Sequence, residues 1–257
     1  MTNASSFPDK LKNSKLLLAP LISIGDSSVS EMISLLSPDF LIVDMEHSVI
    51  GVSDLQDIIM AAKPMEVLAR IRGLEKNEIK KVLDTGVSGI IIPGIETAKE
   101  AADAVAYSKI APHGVRGVGP GRASRYGYGF SEYLKEANTQ LVIIQIETRK
   151  AYENLIDVLS VSGLDGCFIG PVDLSAALGI ELSWENNDFV SAVDKILQES
   201  RKRNLVTGIY SPLANRNPTA ILSRGFNFIM FGADREAIQL EYRNSLESIR
   251  KMASSLM

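Results

Sequence analysis

Four short strings gather most of the side chains able to do chemistry. The first, Val43-Asp44-Met45-Glu46-His47, sets two carboxylates beside an imidazole, a combination suited to moving a proton near neutral pH. The second carries Arg70 and Arg72. If this stretch is a strand, the two point to opposite sides, so only one can reach a site while the other lies on the surface or at an interface. A guanidinium in a site can grip a carboxylate or oppose negative charge developing on oxygen. The third string is Gln145-Ile146-Glu147 and the fourth is Gly170-Pro171-Val172-Asp173. The chain has two histidines, His47 and His113, and one cysteine, Cys167, which excludes a three-histidine or thiolate-rich zinc site. Glu147 and Asp173 remain as oxygen donors for a hard or borderline divalent cation such as Mg2+ or Mn2+, with water and a chelating substrate completing its shell.

Each of these residues also has a plainer reading. His47 alone could be a loop or satisfied core histidine. Asp173 could cap a helix beginning near Leu174-Ser175-Ala176. Glu147 could be a solvated strand end, although its position after a mostly apolar run makes an unpartnered carboxylate costly. The glycine-rich string Arg116 to Arg122, RGVGPGR, reads equally as a substrate loop or a structural turn. Asp84 could be a solvated residue ahead of Gly86. Cys167 and Trp184 read as packing.

The elements that must position these groups follow from hydropathy. Eight short apolar runs suit strands buried on both faces: Leu16 to Ile24, Phe40 to Asp44, Val67 to Ile71, Gly89 to Pro93, Leu141 to Glu147, Gly166 to Gly170, Val206 to Tyr210 and Phe226 to Phe231. Between most of them lie stretches of helical period: Lys76 to Leu83, Ala98 to Lys109, Tyr152 to Leu159, Phe189 to Arg201 and Pro218 to Ser223. A long amphipathic stretch, Arg235 to Leu256, closes the chain. Strict alternation over 257 residues predicts an α/β fold, a single-domain (β/α)8 barrel, with an open doubly wound sheet as the alternative. Residues 1–14 read as an N-terminal lead-in and 235–257 as a C-terminal helix, which would close the barrel or pack on a neighbouring subunit. In such a barrel the strand ends that carry the four strings are where sites form. No lysine sits near any of those ends, which argues against Schiff-base chemistry.

Composition sets the outer bounds. With 46% hydrophobic and 23% charged residues the chain is globular, and a net charge of -4 without a long basic run disfavours nucleic acid as a ligand. Lys10, Lys12 and Lys15 ahead of Leu16 to Ile24 resemble a leader superficially. Pro20 and Asp26 interrupt that run well short of the ~18 apolar residues of a membrane span, and it reads as a buried strand. The single cysteine fits a reducing, cytoplasmic setting with no membrane association.

Four segments together resemble the HpcH/HpaI aldolase/citrate lyase family, and within it the metal-dependent 2-oxo acid aldolases: Asp44-Met45-Glu46-His47, Arg116-Gly117-Val118-Gly119 with Arg122-Ala123-Ser124-Arg125, Gln145-Ile146-Glu147-Thr148, and Gly166 to Ser175 reading GCFIGPVDLS. The resemblance implies a (β/α)8 barrel that cleaves a 4-hydroxy-2-oxo acid to pyruvate and an aldehyde, as in the catabolism of aromatic compounds. It also implies homo-oligomers, hexamers built as trimers of dimers, whose last helix swaps to a neighbour. It further implies Glu147 and Asp173 as ligands to Mg2+ or Mn2+, with Co2+ a further candidate, and Arg70 as the catalytic, substrate-binding arginine. His47 would be the catalytic base with Asp84 as its acidic partner, and Asp44 would support the His47 loop. Gln145 would touch substrate or metal-bound water, and Gly170 and Pro171 would cup the oxo acid together with Asp173. The segment between Gly119 and Arg122 is shorter than the resemblance leads one to expect, and this loop is expected to shape the aldehyde pocket. Competing readings are an acyl-CoA lyase of the citrate-lyase type, a barrel that binds oxo acids without turnover, and a phosphate-binding isomerase. The isomerase is disfavoured because Ser211-Pro212-Leu213 and Gly232-Ala233-Asp234 supply no glycine-rich phosphate turn.

Overall fold

The computed structural model describes residues 6–213 and 218–256. Its strands are β1 Leu17–Ile22, β2 Leu41–Asp44, β3 Val67–Arg70, β4 Gly89–Ile92, β5 Leu141–Ile146, β6 Gly166–Ile169, β7 Val206–Ser211 and β8 Phe228–Ala233. Each pairs in parallel with the next, and β8 closes on β1 with Leu17 opposite Phe228, which makes a closed eight-stranded barrel. The (β/α)8 expectation holds, and each of the eight apolar runs becomes a strand.

The helices among the described residues are α1 Phe7–Asn13, α2 Ser27–Ser34, α3 Val52–Ala61, α4 Lys76–Asp84, α5 Ala98–Ser108, α6 Phe130–Glu136, α7 Arg149–Glu153, α8 Leu155–Leu159, α9 Pro171–Leu178, α10 Asn187–Lys202, α11 Thr219–Leu222 and α12 Asp234–Ser254. The expected single helix over Tyr152 to Leu159 is two short ones. They meet at Asn154, which leaves helical geometry and donates its side-chain amide to the Glu96 carbonyl at 2.9 Å. Residues 1–5 of the expected lead-in and Met257 at the end of the expected last helix lie outside the described residues. No helix among the described residues is long and apolar enough to cross a membrane.

Side-chain parity decides what fills the barrel. At and just before β2, Phe40 and Ile42 join the interior cluster while Leu41 and Val43 pack against the helices; on β5, Leu141 and Ile143 are interior while Val142 and Ile144 are exterior. The interior is closed at the strands' N-terminal end by α1, whose Phe7 and Leu11 belong to the same cluster. Phe7, Phe40 and Phe228 meet edge to face at 5.3 and 5.6 Å, and Phe168 stacks on Phe228 at 6.0 Å. Continued towards the C-terminal strand ends, the same inward parity reaches Asp44 on β2, Arg70 on β3, Gln145 and Glu147 on and after β5, and Tyr210 on β7. The floor of the barrel is apolar and aromatic, and its mouth is polar.

Gly208 on β7 makes room for this core, because a Cβ there would fall 2.1 Å from Cζ of Phe228. We expect Gly208→Ala to lower stability by ~1–3 kcal/mol through overpacking. Combining it with Phe228→Leu should give a double mutant less destabilised than the sum of the single changes. Urea denaturation checks this, and strict additivity would mean that the ring and the glycine are not coupled.

Candidate active site

Arg70 anchors the mouth. Its guanidinium lies 2.9 Å from Asp44 Oδ2, donates from Nε to Asp44 Oδ1 at 3.1 Å, and reaches Glu46 Oε2 at 3.2 Å. Asp44 is fully buried and Arg70 is 9% exposed, so the pair sits where removing one partner is expected to cost ~3–5 kcal/mol. Asp44 Oδ1 also accepts from the backbone N–H groups of Glu46 and His47 at 3.1 and 3.2 Å, and Ser48 Oγ donates to the Asp44 carbonyl. One carboxylate thus fixes both the arginine and the turn that presents His47. The His47 ring stands largely in solvent, with Nε2 3.7 Å from Glu46 Oε2. Arg72, two residues beyond Arg70, turns outward to Glu78 at 2.7 Å and to the Ile50 carbonyl.

Glu147 is held from two sides. The Gly94 N–H donates to Oε1 at 3.0 Å, and Gln145 Nε2 donates to Oε2. A Cβ at Gly170 would lie 3.1 Å from Glu147 Oε2, so a side chain there would press on that carboxylate. Gly170 is also the N-cap residue of α9, which begins with Pro171 at its first position and carries Asp173 in its first turn. Asp173 therefore belongs to the helix and is not its cap.

His47, Arg70, Gln145, Gly170, Pro171 and Asp173 line a cavity of ≈160 Å³ together with Tyr210 and Arg235. A larger hollow of ≈580 Å³, lined by Lys63, Glu66, Arg122 and Tyr126 among others, opens at the opposite end of the barrel and contains none of these groups.

The cavity rim carries an excess of negative charge. Burial, first of all, pushes the Glu46 carboxyl up to about 7; Arg70 opposes this, while Glu147, Asp44 and Asp173 add to it. Asp44 Oδ2 and Glu46 Oε2 have charge contact with Arg70 but no well-aligned hydrogen bond, and Gln145 Oε1 is buried without any hydrogen-bond partner. Oxygen atoms so arranged suit a cation. Among the described residues no three His, Cys, Asp or Glu side chains surround one point, so an ion here would rest on two carboxylates plus substrate or water.

Asp84 lies elsewhere. It ends α4, a helix that runs back from the mouth, and so sits at the N-terminal end of the strands with Arg122 bonded to the neighbouring Thr85 carbonyl. Burial raises its carboxyl, opposed by Arg116 and Lys80, and Oδ1 has no hydrogen-bond partner. The structure does not bring it to His47 of the same chain. The RGVGPGR loop lies at that end too: Arg116 bonds Gln140, Tyr133 and the Ala137 carbonyl, so in its own chain the loop does not border the mouth. Tyr210 and Arg235 line the cavity without having been singled out in the sequence. Inward parity from Val206 and Gly208 marks Tyr210, and Arg235 is the second residue of α12, which starts where β8 ends.

The sequence profile of the HpcH/HpaI aldolase/citrate lyase family matches residues 24–239. The chain is 34% identical to a 4-hydroxy-2-oxo-heptane-1,7-dioate aldolase of Salmonella paratyphi C, over 90% of this chain and 89% of that one. It is 35% identical to a 2-keto-3-deoxy-L-rhamnonate aldolase of Klebsiella pneumoniae, over 83% and 81%. Among solved structures, an HpcH/HpaI aldolase/citrate lyase family protein of Burkholderia cenocepacia superposes with a TM-score of 0.86 at 28% identity, covering 96% of this chain and all of that one.

Glu46 makes the site pH-sensitive. Its carboxyl, at about 7 in the fold and near 4.5 when unfolded, favours the neutral form, so its contribution to stability is fully present below about 4.5 and is lost as pH rises through about 7. For metal-free protein we expect this group to remove on the order of 2–3 kcal/mol across that window. Glu46→Gln should flatten the decline, as read by chemical denaturation at a series of pH values.

Proposed function

Because the chain belongs to the HpcH/HpaI aldolase/citrate lyase family, we propose that it is a divalent-metal-dependent aldolase, a carbon-carbon lyase that cleaves a 4-hydroxy-2-oxo acid to pyruvate and an aldehyde. The observation that carries this reading is the convergence of Arg70, His47, Gln145 and Asp173 on one small cavity at the barrel mouth, with Glu147 bonded to Gln145.

Glu147 and Asp173 would hold the ion, with the unpartnered Gln145 Oε1 facing water or substrate beside it. When bound, a divalent cation supplies Lewis-acid polarisation of the 2-oxo group and offsets the excess of carboxylates. Mg2+ and Mn2+ suit an all-oxygen donor set, and Co2+ is also compatible. Arg70 faces the substrate's oxo oxygen and stabilises negative charge as it develops there, while Gly170 and Pro171 cup the carboxylate end of the oxo acid. His47 takes the proton of the C4 hydroxyl. The C3–C4 electron pair then passes into an enolate of pyruvate as C4 becomes the aldehyde, and a proton returned to C3 completes pyruvate. Asp44 orients this chemistry by gripping Arg70 and the His47 backbone together.

Within one chain the carboxylate beside His47 is Glu46, so a pairing of His47 with Asp84 has to cross between subunits. A homo-oligomer is supported independently by α12. Only Asp234 of its 21 residues is buried, and Ile238, Tyr242, Leu246, Ile249 and Met252 are exposed at the spacing of one helical face. Beside the start of α12 an apolar hollow of ≈440 Å³, lined by Leu18, Pro20, Ile33, Leu36 and Phe231, stands open on the barrel's flank. An exchanged helix would cover it, consistent with the hexameric, trimer-of-dimers assembly that the family resemblance implies. The buried free thiol Cys167, raised to about 11 by burial, fits the reducing cytoplasm.

Metal-stripped protein should release pyruvate from a 4-hydroxy-2-oxo acid only after Mg2+ or Mn2+ is restored. Asp173→Ala should abolish the response to metal, and His47→Ala should lower kcat by ~10²–10⁴-fold. A lactate dehydrogenase-coupled assay reads both, and metal-independent release would overturn the reading. For the assembly, Leu246→Glu with Ile249→Glu should reduce the mass measured by light scattering to that of a smaller species.

A further inference from the structure

Building on the aldolase reading, we infer that Arg235 selects the aldehyde half of the substrate by binding a carboxylate on it. Two guanidinium groups line the cavity, and their electrostatic states differ. Arg70 is engaged by Asp44 and Glu46. Arg235 is exposed and has no carboxylate in ion-pair range among the described residues; its Nη1 donates to the His47 carbonyl at 3.3 Å. The neighbouring carboxylate, Glu236, is turned aside. It accepts from the Tyr210 hydroxyl at 2.5 Å and from the N–H groups of Ala233 and Leu213 at 3.4 Å, which leaves Arg235 without a direct ion-pair partner among the described residues.

The placement is fixed by the fold. Asp234 is buried and accepts from the Ser23 N–H and hydroxyl and from the Ile24 N–H. These bonds pin the first turn of α12 to the end of β1, whatever the rest of that helix packs against. The first turn of α12 carries the positive end of the helix dipole, which adds to the pull of Arg235 on an anion, and its two carboxylates, Asp234 and Glu236, are bonded elsewhere. An arginine held at that point without an ion-pair partner suits an anionic ligand.

The chemistry of cleavage says which end of the substrate arrives there. The hydroxyl that yields its proton to His47 is on C4, the first carbon of the aldehyde half. The oxo-acid half points inward to Arg70 and Asp173, so the rest of the aldehyde half passes His47 towards the rim, where Arg235 is bonded to the His47 carbonyl. A carboxylate on that tail meets a guanidinium that no carboxylate of the described residues pairs directly. A neutral tail leaves Arg235 facing solvent.

The test uses the full-length, Mg2+-loaded enzyme in the condensation direction with pyruvate, comparing kcat/KM for 4-oxobutanoate and for its uncharged methyl ester. The wild type should favour the acid at least tenfold, expressed chiefly in KM. Arg235→Gln should bring the ratio close to one, and Arg235→Lys should fall between. Because the ratio is taken within each variant, a general loss of rate cancels. A ratio near one in the wild type, or a tenfold preference that survives in Arg235→Gln, overturns the inference. Exchange of the pyruvate methyl protons with D2O, measured on the wild type alone, separates the two readings: exchange without turnover of 4-oxobutanoate refutes only the role of Arg235, whereas no exchange and no turnover refutes the aldolase reading and this inference with it.

Discussion

The buried ion pair between Arg70 and Asp44 is the constraint on which the mouth of this barrel depends. An arginine inside a strand bundle is costly to desolvate, and it is tolerated here because Asp44 meets it with two oxygens and Glu46 with a third. Asp44 Oδ1 also accepts from the backbone of the next turn, so the same oxygen that meets Arg70 also sets the position of His47. Loss of either partner would therefore act on binding and proton transfer at once.

Charge balance explains the rest of the site. Asp44, Glu147 and Asp173 all act on Glu46 by charge, with Arg70 opposing them, and the Glu46 carboxyl, which burial first and then these acidic neighbours raise, is held near 7. A divalent cation between Glu147 and Asp173 would relieve that repulsion, and would make proton release at Glu46 part of loading the site. The apolar, aromatic floor built from Phe7, Phe40, Phe168 and Phe228 keeps water from entering below, so the electrostatics are concentrated at the open end.

Much of this was legible in the sequence because strands buried on both faces leave continuous apolar runs, and eight of them in alternation with helices leave few folds to choose from. Parity along those runs places Asp44, Arg70 and Gln145 inward. The short helices α1, α2 and α3 were less visible, since a helix of two or three turns carries few periods of hydrophobicity. The position of Asp84 follows from topology more than from residue type: in a (β/α)8 barrel every segment between a helix and the next strand lies at the N-terminal end, which removes both Asp84 and the RGVGPGR loop from the mouth of their own chain. Tyr210 belongs to no motif and is marked only by the inward parity of β7, while Arg235 shows itself only in the closed barrel.

The most direct test of the central claim is the anomalous scattering of Mn2+ in crystals grown with pyruvate. The account predicts one strong peak at the barrel mouth, ligated by Glu147 and Asp173 and lost in Asp173→Asn, with the pyruvate oxo group turned towards Arg70. A peak seated on other residues, or pyruvate bound at the mouth with no metal beside it, would contradict the account.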